Sequence, residues 1–172
     1  RTWSIPRPRA DRAALARAAE ILKSAKKPLI IAGGGVRYSG AEAAVAAFAA
    51  ARGIPVVETI AGKGGLTHYH PVHAGPIGII GSTSANALAA EADVILAIGT
   101  RLQDFTTGSW TAFAQDARFI AINAARFDAL KHRALAVVGD ALECVEELDG
   151  VLAGWKAPED HLPRAKALFV EW

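Results

Sequence analysis

Short apolar runs alternate along this sequence with longer segments whose apolar residues recur at helical spacing. Five of the runs are four or five residues long and contain no alternating polar positions. Continuous runs of this kind are typical of strands that are buried on both faces, as in a parallel sheet. The predicted strands are 29–32, 54–57, 94–98, 119–122 and 135–138.

The segments between these strands predict helices. In the first segment, Leu15, Ala19 and Leu22 share one helical face. Asp11 precedes them and can accept backbone N–H bonds at the start of a helix, and Pro28 lies beyond the end of the pattern. The predicted helices are 11–26, 40–52, 83–92 and a segment that follows Asp140.

The alternation of strands and helices predicts βαβ units and therefore an α/β fold. We expect three layers, with a Rossmann-like parallel sheet of five or six strands and helices on both faces. Right-handed crossovers bring the carboxyl ends of all strands to one edge, where such sheets bind ligands. The segments predicted at that edge are 33–38, 58–66, 99–108, 123–129 and 139–140.

Composition and charge exclude several classes of function. A length of 172 residues fits one domain, and a formal net charge of +2 is too small to indicate a nucleic-acid-binding surface. No apolar run approaches the roughly 18 residues that cross a membrane. Cys144 is the only cysteine, so no intramolecular disulfide can form, and a cytoplasmic location is expected by default.

The sequence begins with Arg1 and contains no Met, although translation starts with Met. We therefore expect a processed chain or a piece of a longer protein. Basic residues collect in residues 1–10, where Pro6 and Pro8 interrupt regular structure. This stretch is predicted to be a basic, solvated linker.

A glycine turn follows the first strand and suggests a site for a diphosphate. Gly33, Gly34 and Gly35 would let the backbone approach the anion, and a helix follows them. The NAD-binding pattern is incomplete because Tyr38 stands where its third glycine belongs, although Glu58 occupies the place of a ribose-binding acid. A tight turn without a ligand and a site for another nucleotide are the alternatives.

Gly99, Thr100 and Arg101 leave the clearest strand of the sequence. The guanidinium of Arg101 is planar and permanently charged, which suits phosphate. The alternative is an ion pair between Arg101 and Asp104.

Two loop patterns are candidates for further sites. Lys63 lies among glycines that lack the spacing of a phosphate-binding P-loop, so it is expected to face solvent or an anion. His68, His70 and His73 could hold a metal, but neither a Cys nor a carboxylate nearby completes the set. Loop histidines near a domain interface are therefore favoured over a metal site.

No catalytic residue is predicted within the chain. Ser109 lacks the sequence context of a nucleophile elbow, and Cys144 is expected to be inert packing within a helix. The sequence shows neither an acid–base pair nor a metal-ligand set. The sequence therefore predicts neither catalytic nor metal-binding residues in this chain.

Five segments in register resemble the central domain of thiamine-diphosphate-dependent enzymes of the acetolactate synthase type. Within that family, 99–110 and 123–132 are most similar to hydrolases that cleave a carbon–carbon bond in a cyclic 1,2-dione during inositol catabolism. The five matching segments are 28–35, 53–64, 70–81, 92–102 and 119–123.

The resemblance implies that the fold is of the DHS-like type that binds NAD or FAD. It also implies a larger enzyme with a pyrimidine-binding domain before this one and a diphosphate-binding domain after it. Residues 11–153 would form the central domain, with linkers at 1–10 and 154–172. Thiamine diphosphate and magnesium would bind to the other two domains, because Asp140 lacks the continuation of the magnesium-binding motif. The implied partners are these two domains and further copies of the parent enzyme in a homo-oligomer.

Relatives that contain a flavin hold FAD in this central domain. An Asp at the end of one strand contributes there, but Asn123 occupies its position, and an amide carries no charge. Because hydrolysis needs no redox step, an empty or vestigial nucleotide cleft is favoured, with FAD or ADP left open. The matching positions are Gly33, Gly34, Gly35, Gly99, Thr100, Arg101 and Asn123.

The sequence thus predicts the central, mainly structural domain of a thiamine-diphosphate-dependent hydrolase, inactive by itself. One alternative is an autonomous module that binds FAD, ADP or NAD; another is the central domain of an acetolactate synthase-like lyase or transferase. Large apolar residues in the tail are expected to cover a neighbouring domain. These residues are Trp155, Leu162, Leu168, Phe169 and Trp172.

Overall fold

The computed structural model describes residues 4–172, which form one six-stranded sheet with all neighbouring strands parallel. The strand order is β3-β2-β1-β4-β5-β6. The chain adds β2 and β3 on one side of β1 and then crosses back to add β4, β5 and β6 on the other side. The strand order therefore reverses between β1 and β4, at the centre of the sheet. The strands are β1 (Pro28–Ala32), β2 (Val56–Glu58), β3 (His73–Pro76), β4 (Val94–Ile98), β5 (Arg118–Asn123) and β6 (Leu135–Val138).

Helices cover both faces of the sheet and define two hydrophobic clusters. One cluster joins α1, α3 and α7, and the other joins α4 and α8. None of the helices within residues 4–172 is long and apolar enough to cross a membrane. The helices are α1 (Arg12–Lys23), α2 (Gly34–Ser39), α3 (Glu42–Arg52), α4 (Thr83–Glu91), α5 (Asp104–Thr107), α6 (Arg126–Ala129), α7 (Ala141–Val151) and α8 (His161–Glu171), with a short 3₁₀ helix at Lys131–Arg133.

The central strands are buried on both faces, as their unbroken apolar sequence predicts. Ile30 and Leu96 belong to the first cluster, whereas Leu29 and Ile95 belong to the second. Successive side chains of a strand point to opposite faces, so both faces need apolar residues. The predicted three-layer α/β fold with a Rossmann-like parallel sheet is therefore confirmed.

Two local details differ from the sequence prediction. The sixth strand, β3, lies within the glycine-rich stretch 60–81, where its short sequence His-Ala-Gly-Pro offers no apolar run. The helix predicted over 40–52 is preceded by a separate short helix, α2, which begins at Gly34. Gly40, at φ +67°, ends α2 in the left-handed conformation that a glycine tolerates and allows the chain to turn into α3.

The segment 154–172, expected to be a connector, contains the eleven-residue helix α8. Ala165 and Phe169 are buried, and the Phe169 ring lies edge-on to His73 with 5.1 Å between ring centroids. His161 is also buried, with its Nε2 2.8 Å from the carbonyl oxygen of Pro28. Helix α8 therefore covers the β3 side of this sheet, while Trp172 at its end is 60% exposed.

The stretch before α1 is attached to the sheet at its carboxyl edge. Arg7 forms a 2.7 Å ion pair with Asp140, and the backbone N–H of Asp140 donates to the carbonyl oxygen of Pro8. The hydroxyl of Ser39 also donates to the Asp140 carboxylate. Residues 1–3 of the predicted basic linker lie outside the described residues.

The turns that leave β1 and β4 touch at the centre of the sheet. The N–H of Gly33 donates to the carbonyl oxygen of Ile98, and the N–H of Gly35 donates to that of Gly99, at 2.9 and 2.8 Å. A Cβ atom on Gly35 would lie 2.6 Å from the Cα of Gly99, closer than real Cβ contacts allow. These glycines are therefore required by backbone-to-backbone packing.

We predict that Gly35→Ala lowers the free energy of unfolding by about 2–3 kcal/mol, because the added methyl group must displace the Gly99 backbone. The matched control is Gly150→Ala in α7, where nothing lies within 4 Å of the new methyl group. This control should raise the free energy of unfolding by about 0.5–1 kcal/mol, because alanine favours helix interiors. Urea denaturation followed by circular dichroism measures both, and an unchanged stability in Gly35→Ala would refute the contact.

A second prediction concerns the attachment of α8. Phe169→Ala should lower the free energy of unfolding by about 3 kcal/mol, because it empties a buried site between His73 and Gly75. Val170→Ala, one position later and 74% exposed, should stay within about 0.5 kcal/mol of the parent. Equal effects of the two substitutions in thermal or urea denaturation would show that α8 does not pack as described.

Candidate functional site

A cleft of about 550 Å³ opens at the carboxyl edge of the sheet, beside the touching turns after β1 and β4. Six of the seven residues that the sequence predicts as a cofactor site line it, and only Gly33 does not. The lining consists of Gly34, Gly35, Tyr38, Thr59, Ile60, Ala61, Gly99, Thr100, Arg101, Leu102, Gln103, Phe105, Thr106, Asn123 and Asp128.

Two N–H groups of the glycine turn beside this cleft bond to the protein itself. The N–H groups of Gly33 and Gly35 donate to carbonyl oxygens of β4 and of the turn after it. Cβ atoms on Gly33 and Gly35 would meet the backbone around Gly99, so the space beside both glycines is filled by protein. The glycine turn is thus explained by packing without a ligand.

Both the nitrogen and the oxygen of the Asn123 side-chain amide form hydrogen bonds within the protein. Its Nδ2 donates to the carbonyl oxygen of Thr100 at 3.0 Å, and its Oδ1 accepts the N–H of Ala125 at 2.9 Å. The side chain therefore joins the turn after β4 to the turn after β5. This dual bonding suits an amide, because a carboxylate at the same position could not donate to Thr100.

Arg101 is the cationic group of the cleft, and its side chain is 68% exposed. Its Nε lies 3.8 Å from the Asp128 carboxylate, so Asp128, and not Asp104, is the acidic neighbour. Lys131 contacts the same carboxylate at 2.7 Å and donates to the carbonyl oxygen of Arg101. Because this contact is long and the side chain is largely exposed, the guanidinium is accessible to an anion.

Large apolar side chains surround the mouth of the cleft. Tyr38, Ile60 and Phe105 follow β1, β2 and β4 and are 85%, 54% and 61% exposed. The sequence pattern indicates no role for Ile60 or Phe105 and marks Tyr38 only as standing in place of a glycine, although all three lie in segments predicted at the carboxyl edge. The combination of an apolar rim with few free polar groups suits contact with a protein surface or an organic ligand.

Glu58 does not face the cleft where a ribose would lie. Its carboxylate accepts the N–H groups of Leu66 and Gly64 and lies 3.3 Å from Nε2 of His73. Burial opposes its ionisation, but the hydrogen bonds from His73, Leu66 and Gly64 outweigh burial and lower the pKa of Glu58. Glu58 thus holds the loop 62–66 in place.

The three histidines of the glycine-rich stretch do not converge on a metal position. His73 is in β3 and pairs with Glu58, whereas Nδ1 of His70 accepts the N–H of Val72. The ring of His68 lies 6.0 Å from that of His73, between centroids. Residues 4–172 contain no group of three His, Cys, Asp or Glu side chains that could hold a metal ion.

Asp140 and Cys144 are likewise structural. Burial opposes ionisation of Asp140, but hydrogen bonds from Ser39, the N–H of Glu143 and Arg7 lower its pKa, and its carboxylate caps α7. Burial raises the pKa of the Cys144 thiol to about 12, so the thiol is unreactive at neutral pH. The residues described therefore do not fit a thiamine diphosphate–magnesium site, since the one Gly-Asp pair of the motif type caps a helix.

The comparisons with known proteins agree with this arrangement. The family model for the thiamine pyrophosphate enzyme central domain matches residues 15–148. A 3D-(3,5/4)-trihydroxycyclohexane-1,2-dione hydrolase from Clostridium perfringens is 39% identical over 99% of this chain and 27% of its own length. Proteins of the same name from Bacillus licheniformis and Bacillus subtilis are 47% and 45% identical over 81% of this chain and 22% of theirs.

The chain spans about a quarter of the length of these curated relatives. The family match begins within α1, ends within α7 and covers all six strands of the sheet. It confirms the resemblance that the five sequence segments indicate. This chain belongs to the family of thiamine pyrophosphate enzyme central domains.

Proposed function

We propose that this chain is the central domain of a thiamine-diphosphate-dependent enzyme that hydrolyses a carbon–carbon bond in a cyclic 1,2-dione of inositol catabolism. The observation that carries the proposal is the 39% identity over 99% of the chain with a protein named as a trihydroxycyclohexane-1,2-dione hydrolase. Two relatives of the same name, from Bacillus licheniformis and Bacillus subtilis, are 47% and 45% identical over 81% of the chain and support the same activity.

In this proposal the chemistry belongs to other parts of a longer protein. Thiamine diphosphate, with magnesium as its metal, would bind to a pyrimidine-binding domain and a diphosphate-binding domain. Asp140 supports this division, because its carboxylate is already bonded to Arg7 and Ser39 and caps a helix. The cofactor would supply the electron sink, and the protein would position the substrate.

The share of this domain would be mainly structural. Its carboxyl edge presents the exposed side chains of Tyr38, Ile60 and Phe105, which could form part of a domain interface or a wall of the substrate entrance. We further propose that the cleft holds no nucleotide, because the N–H groups of Gly33 and Gly35 and the side-chain amide of Asn123 already donate to carbonyl oxygens of the protein. We also propose that the longer protein forms a homo-oligomer. A cytoplasmic location is proposed because the free, buried thiol of Cys144 suits a reducing compartment.

The test is an assay of the longer protein that carries this chain. With thiamine diphosphate and Mg²⁺ it should open trihydroxycyclohexane-1,2-dione, with one water oxygen incorporated into the product acid, measured by mass spectrometry in ¹⁸O water. Omission of thiamine diphosphate should abolish the product. The 172-residue chain alone should form none.

Two results of this assay would contradict the proposal. Condensation of pyruvate to acetolactate without dione hydrolysis would assign the protein to the lyase or transferase alternative. Ring opening by the 172-residue chain alone would place catalytic groups within it, against the structural role described.

A further inference from the structure

A second cavity, of about 590 Å³, lies at the opposite edge of the sheet, at the amino ends of β5 and β6. It is separate from the carboxyl-edge cleft and shares no lining residue with it. Three parts of the chain form it: helix α1, the segment 110–119 that leads into β5, and the turn 132–136 that leads into β6. The proposed function uses none of these residues.

The charge of this cavity is of one sign. Arg17, Arg118 and Arg133 line it, and its lining contains no Asp or Glu. Across residues 4–172, none of these three guanidinium groups lies within 4 Å of a carboxylate, and Arg118 donates only to the hydroxyl of Ser24. Arg52, by contrast, is paired with Asp149. Among the described residues, Arg12, Arg37 and Arg126 also lack a carboxylate within 4 Å, but they do not line this cavity. Three guanidinium groups around one cavity without a counter-ion favour an anionic ligand.

Aromatic rings form the wall beside these arginines. Trp110 packs on Phe113 and Phe119 with 5.8 and 5.6 Å between ring centroids, and its other contact is a stacked His132. Burial and the nearby charge of Lys131 lower the pKa of His132, which favours the neutral form of this ring. An aromatic wall offers a planar ring a surface on which to stack.

The backbone around the cavity is held in an uncommon conformation. Trp110, His132 and Arg133 have φ values of +69°, +52° and +58°, in the left-handed region that side chains other than glycine rarely adopt. They account for three of the five such non-glycine residues in the described part of the chain. Strain of this kind persists where the surrounding structure holds it, and it is concentrated at ligand sites. Here it directs an indole, an imidazole and a guanidinium toward one cavity.

We propose that this amino-edge cavity binds an organic phosphate that carries a planar ring. The ring stacks on the wall of Trp110 and Phe119, and the phosphate is bound by Arg118 and Arg133, with Arg17 from the side of α1. A volume near 590 Å³ falls within the range of small-molecule sites. The site lies across the sheet from the carboxyl edge, so it would serve a regulatory ligand rather than the substrate.

The test is isothermal titration calorimetry of the 172-residue chain with three probes. AMP should bind, whereas adenosine and inorganic phosphate should each bind at least about tenfold more weakly, because each supplies only half of the contacts. Arg118→Ala and Arg133→Ala should each weaken AMP binding about tenfold, and Arg118→Lys should weaken it by a smaller factor, since lysine keeps the charge without the planar fork. Circular dichroism verifies that each variant is folded.

Two control variants locate the binding. Arg12→Ala removes an exposed arginine of the same helix as Arg17 but outside the cavity, and it should leave AMP affinity unchanged. Arg101→Ala removes the cation of the carboxyl-edge cleft and should also leave it unchanged. Loss of AMP binding in Arg101→Ala but not in Arg118→Ala would overturn the proposal, and so would the absence of AMP binding at millimolar concentration. Equal effects of Arg12→Ala and Arg118→Ala would reduce the site to general surface charge and would overturn it as well.

Discussion

The fold depends on one close approach, between the turns that leave β1 and β4 at the centre of the sheet. Gly33 and Gly35 donate to carbonyl oxygens of Ile98 and Gly99, and the Cα of Gly99 occupies the space where a side chain on Gly35 would lie. Without side chains at these positions the two central strands can end side by side. The outer strands, the helices and the cleft are arranged around this contact.

The same contact decides what the carboxyl edge can do. In related folds glycines at this point expose N–H groups to a diphosphate, but here the N–H groups of Gly33 and Gly35 and the amide of Asn123 bind the protein itself. The cleft is left with an exposed Arg101 and an apolar rim. These features fit the structural role proposed for this domain.

Most of the architecture could be predicted from the sequence, because runs such as Val94–Ile98 are short, apolar throughout and rich in β-branched residues, as buried strands of a parallel sheet are. Strand β3 could not, since His73–Pro76 owes its extended form to pairing with β2 and not to its own composition. The packing of helix α8 could not be predicted either, because it depends on a contact between Phe169 and β3, which are far apart in the sequence. The seven candidate site residues were found through strand ends, but whether their donors face a ligand depends on hydrogen bonds that only coordinates reveal.

The most direct measurement of the central claim is a ¹H–¹⁵N NMR titration of the chain with FAD, followed at the carboxyl edge. The N–H groups of Gly33 and Gly35 and the side-chain amide of Asn123 should keep their chemical shifts, and both glycine N–H groups should exchange slowly with solvent. That result would show that these donors serve the contact between β1 and β4. Saturable shifts of Gly35, Gly99 and Asn123 on addition of FAD would contradict the account, because they would show that the turns bind a diphosphate.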